Sequence, residues 1–117
     1  MAACAVLKRN GAANVIISEP EEGRTEIARK LGADHVINPK KESMADRVLE
    51  ITHGMGASIY LEATGLPTIV YPEIERCIWE GRTLNSTVVV VARADAKIPV
   101  TGEVLQVRRA RIVGSQG

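Results

Sequence analysis

The sequence predicts an α/β fold built on a parallel sheet, and three observations carry that prediction. Apolar runs of strand length alternate with stretches of helical period along the chain. The strongest strand runs are continuous rather than alternating, as expected where helices cover both faces of a sheet. The core must also be aliphatic, because aromatic residues make up 3% of the 117 residues and Phe is missing. Val, Ile, Leu and Ala suit helices packed closely on strands.

The elements follow in order. Residues 2–9 favour a helix, which Asn10 and Gly11 stop. Residues 14–19 read as a strand dominated by Val15, Ile16 and Ile17, with Pro20 behind it. Residues 21–31 read as a helix with Ile27, Ala28 and Leu31 on one stripe. Glu21 and Glu22 in its first turn and Arg29 and Lys30 in its last agree with the helix dipole, and Gly32 supplies the stop. Residues 35–38 form a short strand closed by Pro39. Ser43, followed at the third position by Asp46, caps a helix from Met44 to about Thr52, its inner face carrying Val48, Leu49 and Ile51.

Gly54 and Gly56 break the chain before a strand over residues 57–63, containing Ile59 and Leu61. Thr64-Gly65-Leu66-Pro67 makes the turn at its carboxyl end. Residues 68–80 read as a helix whose first turn is constrained by Pro72 and which Gly81 ends. Residues 86–92 hold the unbroken run Val88-Val89-Val90-Val91, the strongest strand signal in the chain. A polar loop over residues 93–100 leads to Thr101 as the N-cap of a short helix, and residues 110–114 form a final strand. Strands separated by helices imply parallel pairing with right-handed crossovers.

Composition narrows the function. Lys and Arg total 15 against 14 for Asp and Glu, so net charge gives no reason to expect nucleic acid or an anionic membrane. The basic set Arg108, Arg109 and Arg111 has no interleaved aromatic residues and reads as a solvated face or an interface. No apolar run approaches the length of a membrane span. The opening apolar stretch carries its charge, Lys8 and Arg9, on the wrong side for a signal peptide, so a cytoplasmic protein is expected. Cys4 and Cys77 lack C-x-x-C spacing and read as reduced, buried small hydrophobes. His35 and His53 belong to no zinc-spaced cluster, so no metal site and no catalytic residue is assigned.

Glu19 is the most informative residue. It closes an apolar strand at the edge where open α/β sheets bind ligands. In a dinucleotide fold, an acid about 20 residues beyond the glycine fingerprint receives the adenosine ribose hydroxyls. Counting back from Glu19 lands at the start of this chain, on a small-residue helix of the kind that follows such a fingerprint. The alternative is a solvated carboxylate at a strand end. The acid favours NAD over NADP, because it repels a 2′-phosphate. Arg24 lies near the start of the next helix, beside the ribose or simply in solvent. The loop Glu62-Ala63-Thr64-Gly65-Leu66-Pro67 follows a strand at the binding edge and either faces a nucleotide with its backbone or is a plain β–α turn.

The sequence holds no G-x-G-x-x-G. The expected fold is therefore one partial dinucleotide-binding domain over residues 1–117, an incomplete Rossmann-type parallel sheet lacking the first strand and the glycine fingerprint. That strand is central in the usual order 3-2-1-4-5-6, so the remaining strands fall into two groups with a gap or close up differently.

Residues 11–20, the stretch Leu31-Gly32-Ala33-Asp34-His35-Val36-Ile37-Asn38, residues 56–65 ending in Glu62-Ala63-Thr64-Gly65, and Ile112-Val113-Gly114-Ser115 together resemble the medium-chain, zinc-type alcohol dehydrogenase superfamily. They are similar, in order, to its second strand, the stretch leading into its third, its fourth strand and turn, and its last strand. Residues 92–99 with residues 107–112 are similar to a polyol, threonine or cyclitol (scyllo-inosose) dehydrogenase-like branch. The resemblance implies a hydride transfer between a secondary alcohol and NAD or NADP in the intact protein, with catalytic zinc held by another domain. It implies that Glu19 holds the ribose with Arg24 beside it, that Ala63, Thr64 and Gly65 pass near the cofactor, and that Val91, Ala92 and Arg93 approach the nicotinamide end.

With the zinc ligands and glycine cradle lacking, the chain alone is expected to be inactive and to bind NAD weakly or not at all, without zinc. A non-enzymatic oligomeric module and one half of a split oxidoreductase are the alternatives. A sheet without its central strand exposes edges, so self-association is expected, or pairing with a missing catalytic domain. Sedimentation velocity tests the first point. A species heavier than the monomer is the expected result, and a monodisperse, cooperatively folded monomer contradicts it.

Overall fold

A computed structural model describes Arg9, Gly11 and residues 14–115. Residues 2–8 of the helix expected over residues 2–9, Cys4 among them, lie outside the described residues. The chain divides into two compact units between Arg47 and Val48.

In the first unit, β1 (Ile16–Ser18) pairs in parallel with β2 (His35–Ile37), placing Ile16 opposite His35 and Ser18 opposite Ile37. The pairing extends past both strand ends. At the entry, the Asp34 carboxylate accepts the Val15 N–H at 2.7 Å while the Asp34 N–H donates to the Val15 carbonyl at 2.8 Å. At the exit, the Glu19 N–H donates to the Ile37 carbonyl at 2.8 Å. The helix expected over residues 21–31 begins instead as a 3-10 turn (Glu22–Arg24) and becomes regular only as α1 (Thr25–Lys30). Gly23 in that first turn gives no side chain to hold an α-turn. Ala28 is fully buried, but Ile27 is half exposed, so the stripe is narrower than its sequence suggests.

The chain crosses the division in α2 (Met44–Ile51). Ser43 caps this helix as expected, its Oγ accepting the Asp46 N–H at 3.2 Å. Ala45 and Val48 are its buried positions.

In the second unit, β3 (Ile59–Glu62), β4 (Thr87–Val90) and β5 (Arg111–Gly114) pair in parallel with β4 in the middle. Register places Tyr60 opposite Val88 and Ile112, and Glu62 opposite Val90 and Gly114. Side chains alternate across a sheet, so these residues share one face. Tyr60, Glu62 and Val88 on it are buried, whereas Ile59, Leu61 and Val113 on the other are exposed.

Helix α3 (Pro67–Glu80) joins β3 to β4, and α4 (Gly102–Arg108) joins β4 to β5. Pro67 stands in the first turn of α3, where a missing N–H costs nothing. Pro72 lies within the helix rather than limiting its start. The helix buries Tyr71, Ile74, Cys77 and Ile78 along one stripe.

Gly81 stops α3 for want of space rather than for its conformation. Its φ is −75°, but a Cβ there would sit 2.6 Å from both the Cys77 and Met55 carbonyl oxygens. Thr101 stands at the N-cap of α4, yet its side chain makes no capping bond. Its N–H instead donates to Glu75 Oε2 at 2.8 Å.

The contrast along α3 gives a stability test. Ile78 is 2% exposed and Ile69 is 69% exposed. Ile78→Ala should cost about 2–5 kcal/mol through lost burial and a cavity. Ile69→Ala should stay within about 0.5 kcal/mol of the parent. Urea unfolding followed by circular dichroism measures both, and equal costs would contradict the assigned inner face.

Candidate functional site

Parallel strands bring their carboxyl ends to one edge. In the first unit that edge carries Glu19, one residue past β1. Its side chain is nearly buried, and Oε2 accepts the Glu21 N–H at 3.1 Å. Pro20 between them forms the bend that turns this N–H back. Oε1 lies 3.4 Å from Arg24 Nε, and the Arg24 side chain is 58% exposed. The 3-10 turn places Arg24 over the acid, and the pair sequence reasoning singled out is brought together. An ionised carboxylate has about four acceptor positions, so these partners leave capacity for hydroxyl donors.

Nearby, Lys41 donates to the Glu22 carboxylate in an exposed ion pair, which lowers the Glu22 carboxyl and raises the Lys41 ammonium through that hydrogen bond. Sequence reasoning did not find this pair, because the residues are far apart in the chain. Full exposure marks it as a surface contact of small energetic value.

In the second unit, the turn at residues 63–65 and the loop at residues 91–93 adjoin. Gly65 has φ of +75°, a left-handed conformation that disfavours a side chain, and a Cβ there would lie 4.0 Å from Ala92 Cβ. Glu62 joins the two segments; sequence reasoning placed it in the candidate loop for its backbone and gave its side chain no role. It is 2% exposed. Its Oε1 accepts the Thr64 N–H at 2.9 Å and also the Thr64 hydroxyl. Thr64 Oγ1 in turn accepts the Leu66 N–H at 3.0 Å, at the start of α3. The Glu62 carbonyl accepts the Val91 and Ala92 N–H groups at 3.0 and 3.3 Å. Alternation along β3 was the available signal, since Glu62 falls on the same face as Tyr60.

These bonds decide what the segments can offer a ligand. The Thr64 hydroxyl and the Val91 and Ala92 amides are engaged within the protein. The exposed Ala63, Val91 and Arg93 present the accessible surface there.

Arg108 and Arg111 of the basic set have structural partners. The Arg108 guanidinium donates to the Trp79 carbonyl at 2.7 and 3.1 Å and lies 5.0 Å from the indole centroid. Arg111 donates to Thr87 Oγ1 at 3.3 Å. Among the described residues, no group of three His, Cys, Asp or Glu side chains could hold a metal ion. Also among them, no helix is long and apolar enough to cross a membrane.

Parallel strands joined by helices make an open α/β sheet of Rossmann type, and the comparisons give its kinship. Residues 1–117 match the family described as zinc-binding dehydrogenase, and the chain belongs to that family. Within the medium-chain alcohol dehydrogenases it is related to the scyllo-inosose and threonine dehydrogenase branch.

It is 61% identical over 117 residues to scyllo-inosose 3-dehydrogenase of Thermotoga maritima, covering 100% of this chain and 30% of that protein. It is 42% identical over 78 residues to L-threonine 3-dehydrogenase of Pyrococcus horikoshii, covering 67% of this chain and 22% of that protein. An alcohol dehydrogenase zinc-binding domain protein from Burkholderia ambifaria superposes with a TM-score of 0.82 at 29% identity, covering 97% of this chain and 30% of that one. The chain thus spans less than a third of the length of these relatives. The family's name implies zinc, but the described residues supply no fitting donor set, and no step is assigned to a metal.

Cys77 is no candidate nucleophile. It is fully buried, and its thiol is pushed up from 9.0 to about 12, first by burial and then by the Glu73 charge. Tyr71 is pushed up from 10.0 to about 12, first by burial and then by Glu75. The folded chain holds both protons more tightly than the unfolded chain does. Their stabilising contribution is complete below about pH 9 and fades as pH rises toward 12. Thermal melts should therefore show stability falling across that window, with a shallower fall in Cys77→Ala. An identical slope in the variant contradicts the Cys77 contribution.

Proposed function

We propose that this chain is a cofactor-binding portion of an NAD-dependent alcohol or polyol dehydrogenase, inactive in hydride transfer by itself. The observation that carries this reading is the Glu19 carboxylate at the end of β1. It is held by the Glu21 N–H and faced by Arg24, with acceptor capacity left for vicinal hydroxyls. The sheet orders β1-β2 and β3-β4-β5 support it. They are the two groups left when the central strand is taken from the order 3-2-1-4-5-6. On that reading β1 is the second Rossmann strand, and the first strand and glycine fingerprint are not among the described elements.

In this assignment Glu19 accepts hydrogen bonds from the adenosine ribose, and its charge disfavours a 2′-phosphate. Arg24 flanks the ribose. Ala63, Thr64 and Gly65 offer backbone beside the cofactor, and Val91, Ala92 and Arg93 lie toward its nicotinamide end. When bound, NAD supplies the hydride-accepting ring. Affinity is weak without a glycine-lined cradle for the pyrophosphate. The substrate class, a cyclitol or related polyol, follows the scyllo-inosose relative.

Self-association is the second reading. The uncovered sheet face bearing Ile59, Leu61 and Val113 favours it, because parallel sheets normally bury both faces.

An amide NMR titration with NAD tests the first reading. Saturable shifts centred on Glu19, Arg24 and Thr64 are expected, and Glu19→Ala should weaken binding about tenfold or more, the value of a charge-assisted hydrogen bond. A well-dispersed spectrum unchanged by millimolar NAD would remove the cofactor role.

A further inference from the structure

We propose that Glu62 is a positioning residue for the carboxyl edge of the second unit, setting the turn at residues 63–65 and the loop at residues 91–93 together. The inference rests on reading those segments as cofactor contacts.

Glu62 is 2% exposed and lies in register with Val90 and Gly114 on the helix-covered face of the sheet. Burying a carboxylate there is costly, and an apolar side chain would fill the same space without that cost. What the carboxylate adds is directional. One oxygen takes both the N–H and the hydroxyl of Thr64, which fixes the Thr64 backbone and its χ1 together. Thr64 Oγ1 passes the restraint to the Leu66 N–H. The turn is thereby pinned from strand end to helix start, with Gly65 in its left-handed conformation between them.

The same residue's carbonyl takes the Val91 and Ala92 N–H groups. Through its side chain and its backbone, Glu62 thus holds two chain segments 26 or more residues apart in sequence. Neither segment can shift along the edge without breaking a bond to Glu62. Such a residue touches no ligand and acts through those that do.

The test compares Glu62→Gln and Glu62→Leu in the 117-residue chain. The glutamine keeps an acceptor oxygen for Thr64, and the leucine keeps only bulk. NAD affinity should fall about tenfold in Glu62→Leu, with a melting temperature equal to or above the parent's, and Glu62→Gln should restore most of the loss. A purely structural role predicts that melting temperature and affinity fall together in both variants, which would overturn the assignment. So would parental affinity in Glu62→Leu.

Amide hydrogen exchange is read on the same samples. Faster exchange at Thr64 in Glu62→Leu, whose amide loses its carboxylate acceptor, with the rest of the unit unchanged, supports positioning. An unchanged rate at Thr64 overturns it. Should Glu62→Leu not fold, Thr64→Val removes the hydroxyl at an exposed position and must speed exchange at Leu66; failure to do so overturns the proposal. If the parent chain shows no NAD-dependent shifts, the cofactor reading falls, and the exchange rates alone decide whether Glu62 positions the edge.

Discussion

Parallel pairing is the constraint on which the rest of this structure depends. Antiparallel neighbours would scatter strand ends over opposite edges, whereas β1 with β2, and β3 with β4 and β5, finish together. Each unit consequently collects its carboxyl termini, and the acids that follow or close those strands, on one side. Helical crossovers return the chain to the opposite edge each time. The fold thereby separates a face-to-face apolar core from a rim where polar groups can be held without being buried at random.

The strands are only three or four residues long, so the ladders need support at their ends. In the first unit Asp34 supplies it by clasping the Val15 backbone through side chain and main chain alike. In the second, the buried Ser86 hydroxyl donates to the Ala57 carbonyl at 2.9 Å, just ahead of β4 and β3. These clasps sit at the amino ends. At the carboxyl ends, the Glu19 and Glu62 carboxylates each accept one backbone N–H from the turn that follows. Their chemical similarity hides a difference: Glu19 is faced by an exposed guanidinium, while Glu62 is enclosed.

Much of the fold was legible because its signals are local. The valine run marks β4, the Gly54 and Gly56 breaks precede β3, and Ser43 caps its helix as its spacing implies. Glu19 and Arg24 were legible as a pair because a strand end followed by a helix start fixes their separation. What escaped was long-range or conformational. The weak first turn at Gly23 becomes a 3-10 turn, and the Thr101 N–H is taken by Glu75, 26 residues away. Glu62 was read for its loop's backbone and not for its side chain, whose role depends on which sheet face is covered, a fact that pairing establishes and a lone strand cannot. Gly81 read as a conformational stop, and the true reason, two carbonyl oxygens converging on its Cα, exists only after folding.

The contact between Arg108 and Trp79 has a consequence of another kind. Trp79 is the only tryptophan in the sequence, and Arg108 lies against its ring while also bonding its carbonyl. The indole sits where α3 meets α4, beside the Glu75 clasp on Thr101. Light emitted by this molecule on excitation of tryptophan therefore comes from one place, the seam between two helices. Any loosening of that seam will be written in colour and intensity, against a background free of other indoles.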